Sequence, residues 1–267
     1  MPHRTKLTVA YLGGGFCGWQ RQPDRRTVQG ELERALTVMT GGLEAAVVGA
    51  GRTDAGVHAA GQVAHLDLPV AIPPEGLVRG LNGLLTEEIR VRAATAVGGD
   101  FHARRSARGK LYSFRARWRP SPLPWLGLRC AVVPPVADPG ELLRAAALLV
   151  GRHDLASFTV PEAAVEPTER TLYRVWIERR RDGLDLHFLG DGFLRYQVRR
   201  MVGALLDVGR GQLAHADFER LLAEPRPGAA IRTAPARGLT LERVFYRATS
   251  LPGGSPTASD PPRRRDR

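Results

Sequence analysis

Apolar and polar residues along the chain predict two successive sets of strands and helices in the same order. The first half predicts the order βαββαβ, with strands at 7–12, 45–50, 62–68 and 89–97 and helices beginning at Thr27 and Pro73. The second half predicts the same order with an insert, with strands at 111–118, 173–180, 184–189 and 239–246 and helices beginning at Asp138, near Val198 and near Asp217. The pattern therefore predicts an α+β protein built from two ferredoxin-like halves.

The division between the halves is predicted from composition and element order, because no repeat is visible residue by residue. We expect an N-terminal α+β half at 1–106, which contains the loop with Asp54, and a C-terminal α+β half at 107–249. The remaining segment, 250–267, is rich in Pro, Gly, Ser and Arg, and we expect a disordered basic tail there.

The charge of the chain is strongly positive. Lys and Arg number 39 against 27 Asp and Glu, which gives a net charge of +12 and a sequence pI near 10.9. Segment 251–267 holds four Arg and two Asp, so +10 remains on the rest of the chain. A bias towards arginine explains why Lys6 and Lys110 are the only lysines, but it does not explain why basic residues outnumber acidic residues. The charge indicates a polyanionic partner such as a nucleic acid.

Cysteine content and hydropathy argue against a secreted or membrane protein. Cys17 and Cys130 are too few for a disulfide framework, and no Cys-x-x-Cys pair is present for zinc or redox chemistry. The N-terminal residues lack the apolar core of a signal peptide. No apolar run reaches the roughly 18 residues that span a bilayer. We expect a cytoplasmic protein with reduced thiols and no membrane association.

The glycine-rich segment at 13–18 matches G-x-G-x-x-G after a strand, a pattern found at dinucleotide sites. Such a site requires a helix that begins within the motif. Here the helix signal comes only at Thr27, so we reject the dinucleotide interpretation and predict a flexible turn.

A second loop rich in small residues, at 49–60, carries Arg52 and Asp54 between two predicted strands. An arginine close to a carboxylate keeps it ionised, as a nucleophile must be. From the residues alone, an aspartate in an ordinary turn beside a surface arginine is an equal alternative. Asp54 with His58 and His65 also matches a two-His, one-carboxylate metal set. Their spacing fits no metal motif, so structural histidines are favoured.

Two further groups are candidates for RNA contact. Tyr112 shares a strand face with Phe114 and Trp118, which predicts core packing, although such a face can also stack a base. Arg195 and Arg199 are four residues apart at the start of a helix and share a face. A solvated basic face and a phosphate clamp both fit that spacing.

The segment at 51–59, GRTDAGVHA, resembles the catalytic signature of the bacterial tRNA pseudouridine synthase A family. The resemblance extends in order from about residue 5 to 246. Its further matching positions are 16, 18–22, 27–30, 100–104, 106, 112, 151, 153–154, 157–158, 170, 193–194, 198–199, 201–203, 234–236, 238–239 and 241.

The resemblance implies a pseudouridine-synthase-type continuous mixed or antiparallel sheet flanked by helices, and a cytoplasmic homodimer that binds tRNA. It implies isomerisation of uridine to pseudouridine at positions 38–40 of the anticodon stem-loop, with no cofactor and no metal. Asp54 matches the nucleophile, which attacks ribose C1′ or base C6 of a flipped-out uridine. Arg52 and Arg199 match arginines that pair with it, and Arg52 is also expected to help hold the base flipped out. Tyr112 matches the tyrosine that stacks on uracil, with help in removing the C5 proton as a further expected role. His58 and Arg104 are further expected substrate contacts.

The sequence departs from the family pattern at Leu12, 14–15, Glu169, 195–197 and Arg200. These departures bear on which uridines the protein modifies.

Three alternative functions remain open at this stage. They are a tRNA-binding module without catalysis, a nucleoside hydrolase, which usually needs a second acid, and a scaffold without a substrate.

Overall fold

The computed structural model describes residues 3–121, 123–163, 167–230 and 232–247, and the tail predicted at 250–267 lies outside them. The strands are β1 (His3–Tyr11), β2 (Val48–Gly49), β3 (His58–Leu68), β4 (Ile89–Ala96), β5 (Gly109–Arg117), β6 (Ala131–Val132), β7 (Gly151–Asp154), β8 (Glu169–Arg180), β9 (Gly183–Gly190) and β10 (Leu239–Phe245). The helices are α1 (Val28–Met39), α2 (Pro74–Leu84), α3 (Pro124–Gly127), α4 (Pro139–Leu148), α5 (Gln197–Gly209) and α6 (His215–Ala223).

All these strands belong to one sheet, in the order β4-β1-β3-β10-β5-β9-β8-β7, with β2 beside β3 and β6 beside β5. The first half follows the predicted order as β1-α1-β2-β3-α2-β4. The second half follows it as β5-α4-β8-β9-α5-β10, with β6, β7, α3 and α6 added. Antiparallel pairing dominates within each half. The predicted α+β class is confirmed.

Two predicted details are wrong. The strand expected at 45–50 is limited to the two residues of β2, which pair with His65 and Ala64 of β3. The prediction also lacks the edge strand β7, which begins at Gly151 and pairs with β8. Both strands are too short to show the alternation of apolar and polar residues on which the predictions depend.

Capping residues set the beginnings of the helices. The Thr27 hydroxyl accepts a hydrogen bond from the Gly30 amide, and an Asp138 carboxylate oxygen accepts from the second and third amides of α4. Helix α5 begins differently. Tyr196 precedes it in the left-handed conformation (φ 61°), and the Gln197 side chain accepts from the Leu194 amide at 2.7 Å. This start directs the first turn of α5 towards the Asp54 loop.

The seam between the halves is the pairing of β10 with β3. There β10 runs parallel to β3, with Thr240 opposite His58 and Leu241 opposite Ala59, while its other edge pairs antiparallel with β5. The loop that contains Asp54 leads directly into β3, so it lies at this seam and faces elements of both halves. None of the helices in the described ranges combines the length and apolar character needed to cross a bilayer.

Candidate active site

Hydrogen bonds fix the Asp54 loop at both ends. The Ala50 amide donates to the Val63 carbonyl at 2.7 Å, and the buried Gln62 side chain donates to the Gly51 carbonyl at 2.9 Å. After Asp54, its carbonyl accepts from the Val57 amide at 3.1 Å and closes a turn. A loop restrained in this way presents its side chains from a fixed backbone, as a pre-organised site requires.

The glycine-rich segment after β1 supports this loop from one side. The Trp19 amide donates to the Thr53 carbonyl at 3.1 Å, and the Gly56 amide donates to the Phe16 carbonyl at 3.4 Å. Gly13 begins a single 3-10 turn, and α1 starts only at Val28. The rejection of a dinucleotide motif is therefore confirmed, but the expected flexible turn is wrong, because the segment is a hydrogen-bonded support.

Close backbone approach explains two of these glycines. A Cβ on Gly13 would stand 2.0 Å from the Val57 carbonyl oxygen, so no side chain fits there. Gly18 has a φ of 90°, and a Cβ on it would stand 2.7 Å from the Thr53 carbonyl oxygen. Both positions need glycine because the two segments lie backbone against backbone.

Tyr11, the last residue of β1, adds a buried contact that the sequence did not reveal. Its hydroxyl lies 2.8 Å from the Thr53 hydroxyl, and both residues are less than 7% exposed. Burial raises the pKa of Tyr11, so the group stays a neutral phenol. The residue immediately before Asp54 is thereby tied to the central sheet.

The carboxylate of Asp54 pairs with Arg199 across the seam. Arg199 Nη1 donates to Asp54 Oδ2 at 3.2 Å, and the two side chains are 15% and 20% exposed. Arg199 Nε also donates to the Ala234 carbonyl at 2.8 Å, which fixes the guanidinium. Burial raises the pKa of Asp54 above its usual value, although the charges of Arg199 and the more distant Arg195 oppose this. The result is a restrained, largely desolvated carboxylate.

Tyr112 completes the group of residues around Asp54. It is 7% exposed, and its ring meets Phe193 edge to face at 5.2 Å between centroids. Burial raises its pKa, and the neighbouring Tyr11 and Asp54 side chains add to the effect. The predicted packing on this face of β5 is confirmed for Phe114, which is fully buried. Tyr112 stays neutral beside the carboxylate.

Comparison with known proteins agrees with this geometry. Residues 7–104 and 145–247 match the tRNA pseudouridine synthase family. The chain belongs to this family. It is 41% identical over 244 residues to the tRNA pseudouridine synthase A of Bacillus licheniformis, covering 91% of this chain and 99% of the relative. It is 40% identical to the tRNA pseudouridine synthase A of Geobacillus kaustophilus, and the match covers 92% of this chain and 95% of the relative. It is also 40% identical to the tRNA pseudouridine synthase A of Lacticaseibacillus casei, and that match covers 90% of this chain and 98% of the relative.

The predicted resemblance is thereby confirmed, and this member of the tRNA pseudouridine synthase family is an isomerase.

Two of the expected site arginines lie apart from the Asp54 carboxylate. Arg52 is exposed, and within the described ranges no ion pair joins it to Asp54, so the expected Arg52–Asp54 pair is not found. Arg104 is exposed in the segment before β5, where its charge acts on Lys110.

His58 has a structural position in this family member. It is 3% exposed, and its Nδ1 accepts a hydrogen bond from the Gly13 amide at 3.1 Å. Burial lowers its pKa, which favours the neutral ring. The ring supports the glycine-rich segment from within, and the expected contact of His58 with the substrate stays a prediction.

The metal interpretation of Asp54, His58 and His65 finds no support in the geometry. His65 is also buried, and its Nδ1 accepts from the Ala103 amide at 3.2 Å. In the part of the chain that the structure describes, no three His, Cys, Asp or Glu side chains come together as a metal site. Structural histidines, the favoured interpretation, account for both rings.

The arginines at the start of α5 have separate roles. Arg195 is exposed and stacks on the Tyr196 ring with its guanidinium carbon 4.9 Å from the centroid, while that of Arg199 is 5.3 Å from the same ring. Only Arg199 reaches Asp54, whereas Arg200 donates to backbone carbonyls at 3.0 and 3.2 Å. The expected shared helix face is wrong, because α5 begins at Gln197 and Arg195 lies outside it; Arg195 and Arg199 instead contact the same Tyr196 ring.

Proposed function

We propose that this family member converts uridine to pseudouridine in tRNA at positions 38–40 of the anticodon stem-loop, with Asp54 as nucleophile. The observation that carries the proposal is the desolvated Asp54 carboxylate, fixed by Arg199 and adjacent to Tyr112. The names of the relatives support the same class of substrate, since each is called a tRNA pseudouridine synthase A.

In the proposed reaction, Asp54 attacks a uridine that has been flipped out of the stem-loop, at ribose C1′ or at base C6. The N-glycosidic bond breaks, the uracil turns, C5 bonds to C1′, and the bond from Asp54 to C1′ or C6 breaks to restore the carboxylate. The C5 hydrogen leaves as a proton and N1 takes up a proton, so the reaction is a redox-neutral isomerisation. Arg199 keeps the carboxylate oriented and lowers the cost of its negative charge in a partly buried site.

Tyr112 and Arg52 are assigned to base recognition. We assign Tyr112 to stacking on the uracil and not to proton removal, because its raised pKa makes it a poor base at neutral pH. The exposed Arg52 at the loop is assigned to holding the flipped nucleotide. Flipping costs a few kcal/mol, which stacking and hydrogen bonds in the pocket offset.

The partner is expected to be tRNA, bound through its phosphates by a chain with a net charge of +12. We further propose that the enzyme works in the cytoplasm as a homodimer in which both subunits contact one tRNA. Analytical ultracentrifugation with and without tRNA measures the stoichiometry. A monomer that binds one tRNA with full activity would contradict the dimer.

The function is tested by tritium release from tRNA that carries [5-³H]uridine, because C5 loses its hydrogen only when the new C–C bond forms. Wild type should release tritium, Asp54→Asn should release none, and both should bind tRNA equally in a filter assay. Asp217→Asn, the same change on the exposed surface of α6, should behave as wild type. Release by Asp54→Asn would remove the nucleophile assignment, and free uracil as product would indicate hydrolysis.

Position is tested with tRNAs in which the uridines at 38, 39 or 40 are replaced singly by cytidine. Tritium release should fall only by the contribution of the replaced uridine. Full release from a tRNA without uridine at all three positions would contradict the assignment to the anticodon stem-loop.

A further inference from the structure

Lys110 places an ammonium group against the Asp54 loop. Its Nζ is 2.9 Å from the point where a Cβ on Gly51 would stand, and its Cε is 3.6 Å from that point. The side chain is half-buried, and within the described ranges its ammonium has no hydrogen bond and no ion pair. Because a cation that is partly removed from water is stabilised by a negative charge, an ammonium at this position is suited to bind an anion.

The strand register directs this ammonium to the side of the sheet that holds the site. Lys110 precedes Tyr112 by two residues on β5, so both side chains are on the same face. Tyr112 is close enough to Asp54 for the carboxylate to shift its pKa. Gly51, three residues before Asp54, leaves the space that the lysine occupies. Lys110 therefore lies at the margin of the proposed uridine pocket.

Further charges converge on the same point from three other segments. Arg104 lies in the segment before β5, Arg170 on β8, and Asp191 directly after β9. Burial, together with the charges of Arg104 and Arg170, lowers the pKa of Lys110 to about 8, and Asp191 partly opposes this. Three cations and one carboxylate leave this cluster with a net positive charge that a bound anion would neutralise.

We propose that Lys110, together with Arg104 and Arg170, binds a backbone phosphate of the RNA strand next to the uridine that Asp54 attacks. The inference rests on the proposed function of Asp54 and adds the contact that fixes the strand beside the flipped base. The ammonium donates to a non-bridging phosphate oxygen, and the two guanidinium groups supply positive charge around it. No bond forms or breaks in this contact.

The chain offers a matched pair of variants, because Lys6 is its only other lysine. Filter binding to full-length tRNA over a range of salt concentrations compares three variants, Lys110→Met, Lys110→Arg and Lys6→Met. Lys110→Met should weaken the Kd about tenfold and reduce the slope of log K against log salt by about 0.7–0.9. Lys110→Arg and Lys6→Met should keep the wild-type slope, and thermal unfolding identifies any variant that does not fold.

The pH dependence gives a second measurement that a merely structural lysine would not move. With a pKa of about 8, the ammonium loses its proton as the pH rises, so wild-type binding should weaken from pH 7.5 to 9. Lys110→Arg should lose this dependence, because arginine stays charged.

Equal Kd and salt slope for Lys110→Met and Lys6→Met, both folded, would overturn the proposal. So would a folded Lys110→Arg variant whose Kd and salt slope match those of Lys110→Met, because a phosphate contact requires only that the positive charge be kept. If wild type itself releases no tritium from any tRNA, the proposed function fails, while the binding data still decide the phosphate contact.

Discussion

Gly13→Ala perturbs the support of the Asp54 loop without touching any residue assigned to the reaction. The new Cβ would stand 2.0 Å from the Val57 carbonyl oxygen and 2.5 Å from its carbon, where Cβ contacts below 3.0 Å essentially do not occur. Both contacted atoms are backbone, so no side-chain rotation relieves the overlap. The two segments must therefore separate by about 1 Å.

That displacement sets the expected magnitude. A misplacement of about 1 Å at a reacting group costs about 100-fold in rate, which corresponds to about 2.7 kcal/mol in activation free energy. Overpacking of this kind lowers the free energy of unfolding by about 1–3 kcal/mol. Because a chain with a net charge of +12 is expected to bind tRNA phosphates at many points, of which the Lys110 contact is one, we expect kcat to fall much more than the Kd for tRNA rises.

The adjacent glycine provides the control. A Cβ on Gly14 meets nothing within 4 Å, so Gly14→Ala should keep kcat. Its free energy of unfolding should be unchanged or rise by about 0.4–1 kcal/mol, because alanine restricts the unfolded chain. Single-turnover tritium release and urea denaturation measure both quantities. If folded Gly13→Ala had the same kcat as Gly14→Ala, the loop would not depend on this support and the reasoning would be refuted.

Three further predictions concern the same group of residues. Burial raises the pKa of Asp54, so this proposed nucleophile takes up a proton at a higher pH than an exposed aspartate does. The value of kcat/KM should therefore fall at that higher pH when the solution is acidified. A pH profile that stays flat through the acid range would contradict this. Tyr11→Phe leaves the buried Thr53 hydroxyl without its partner and should lower the free energy of unfolding in urea by about 1–3 kcal/mol; an unchanged value would show that this contact contributes nothing. Arg199 uses two different nitrogens to reach the Ala234 carbonyl and Asp54, and the single nitrogen of Arg199→Lys cannot replace both. We therefore expect kcat to fall about 10- to 100-fold in the tritium assay. An unchanged kcat would mean that one positive charge is sufficient.

The sequence predicted the long elements well, because apolar periodicity and capping residues act locally. Helix α4 is an example, since Asp138 caps it as expected. Strands β2 and β7 have two and four residues, and their positions depend on pairing with β3 and β8 rather than on their own composition. Periodicity cannot locate strands whose stability comes from a neighbour.

The site was predicted in part. The loop around Asp54 was located from its small residues, but proximity along the chain suggested Arg52 as the partner of the carboxylate. The family resemblance also gave Arg199, and this residue, 145 positions away, is the partner that the structure shows. The Ala234 carbonyl that positions Arg199 is indicated by no local pattern. Tyr11 and Lys110 carried no local signal either, because their roles arise from burial and from neighbours brought together by the sheet.

The seam between β3 and β10 has a consequence for the order in which the protein gains activity during its synthesis. The only described strand that joins the halves, β10, is also the last of the described strands, and it pairs with β3 through Thr240 and Leu241. Asp54 leaves the ribosome long before Arg199, and the Ala234 carbonyl that fixes Arg199 follows later still. A nascent chain therefore carries Asp54 without its Arg199 partner, and the proposed reaction requires that synthesis has passed β10.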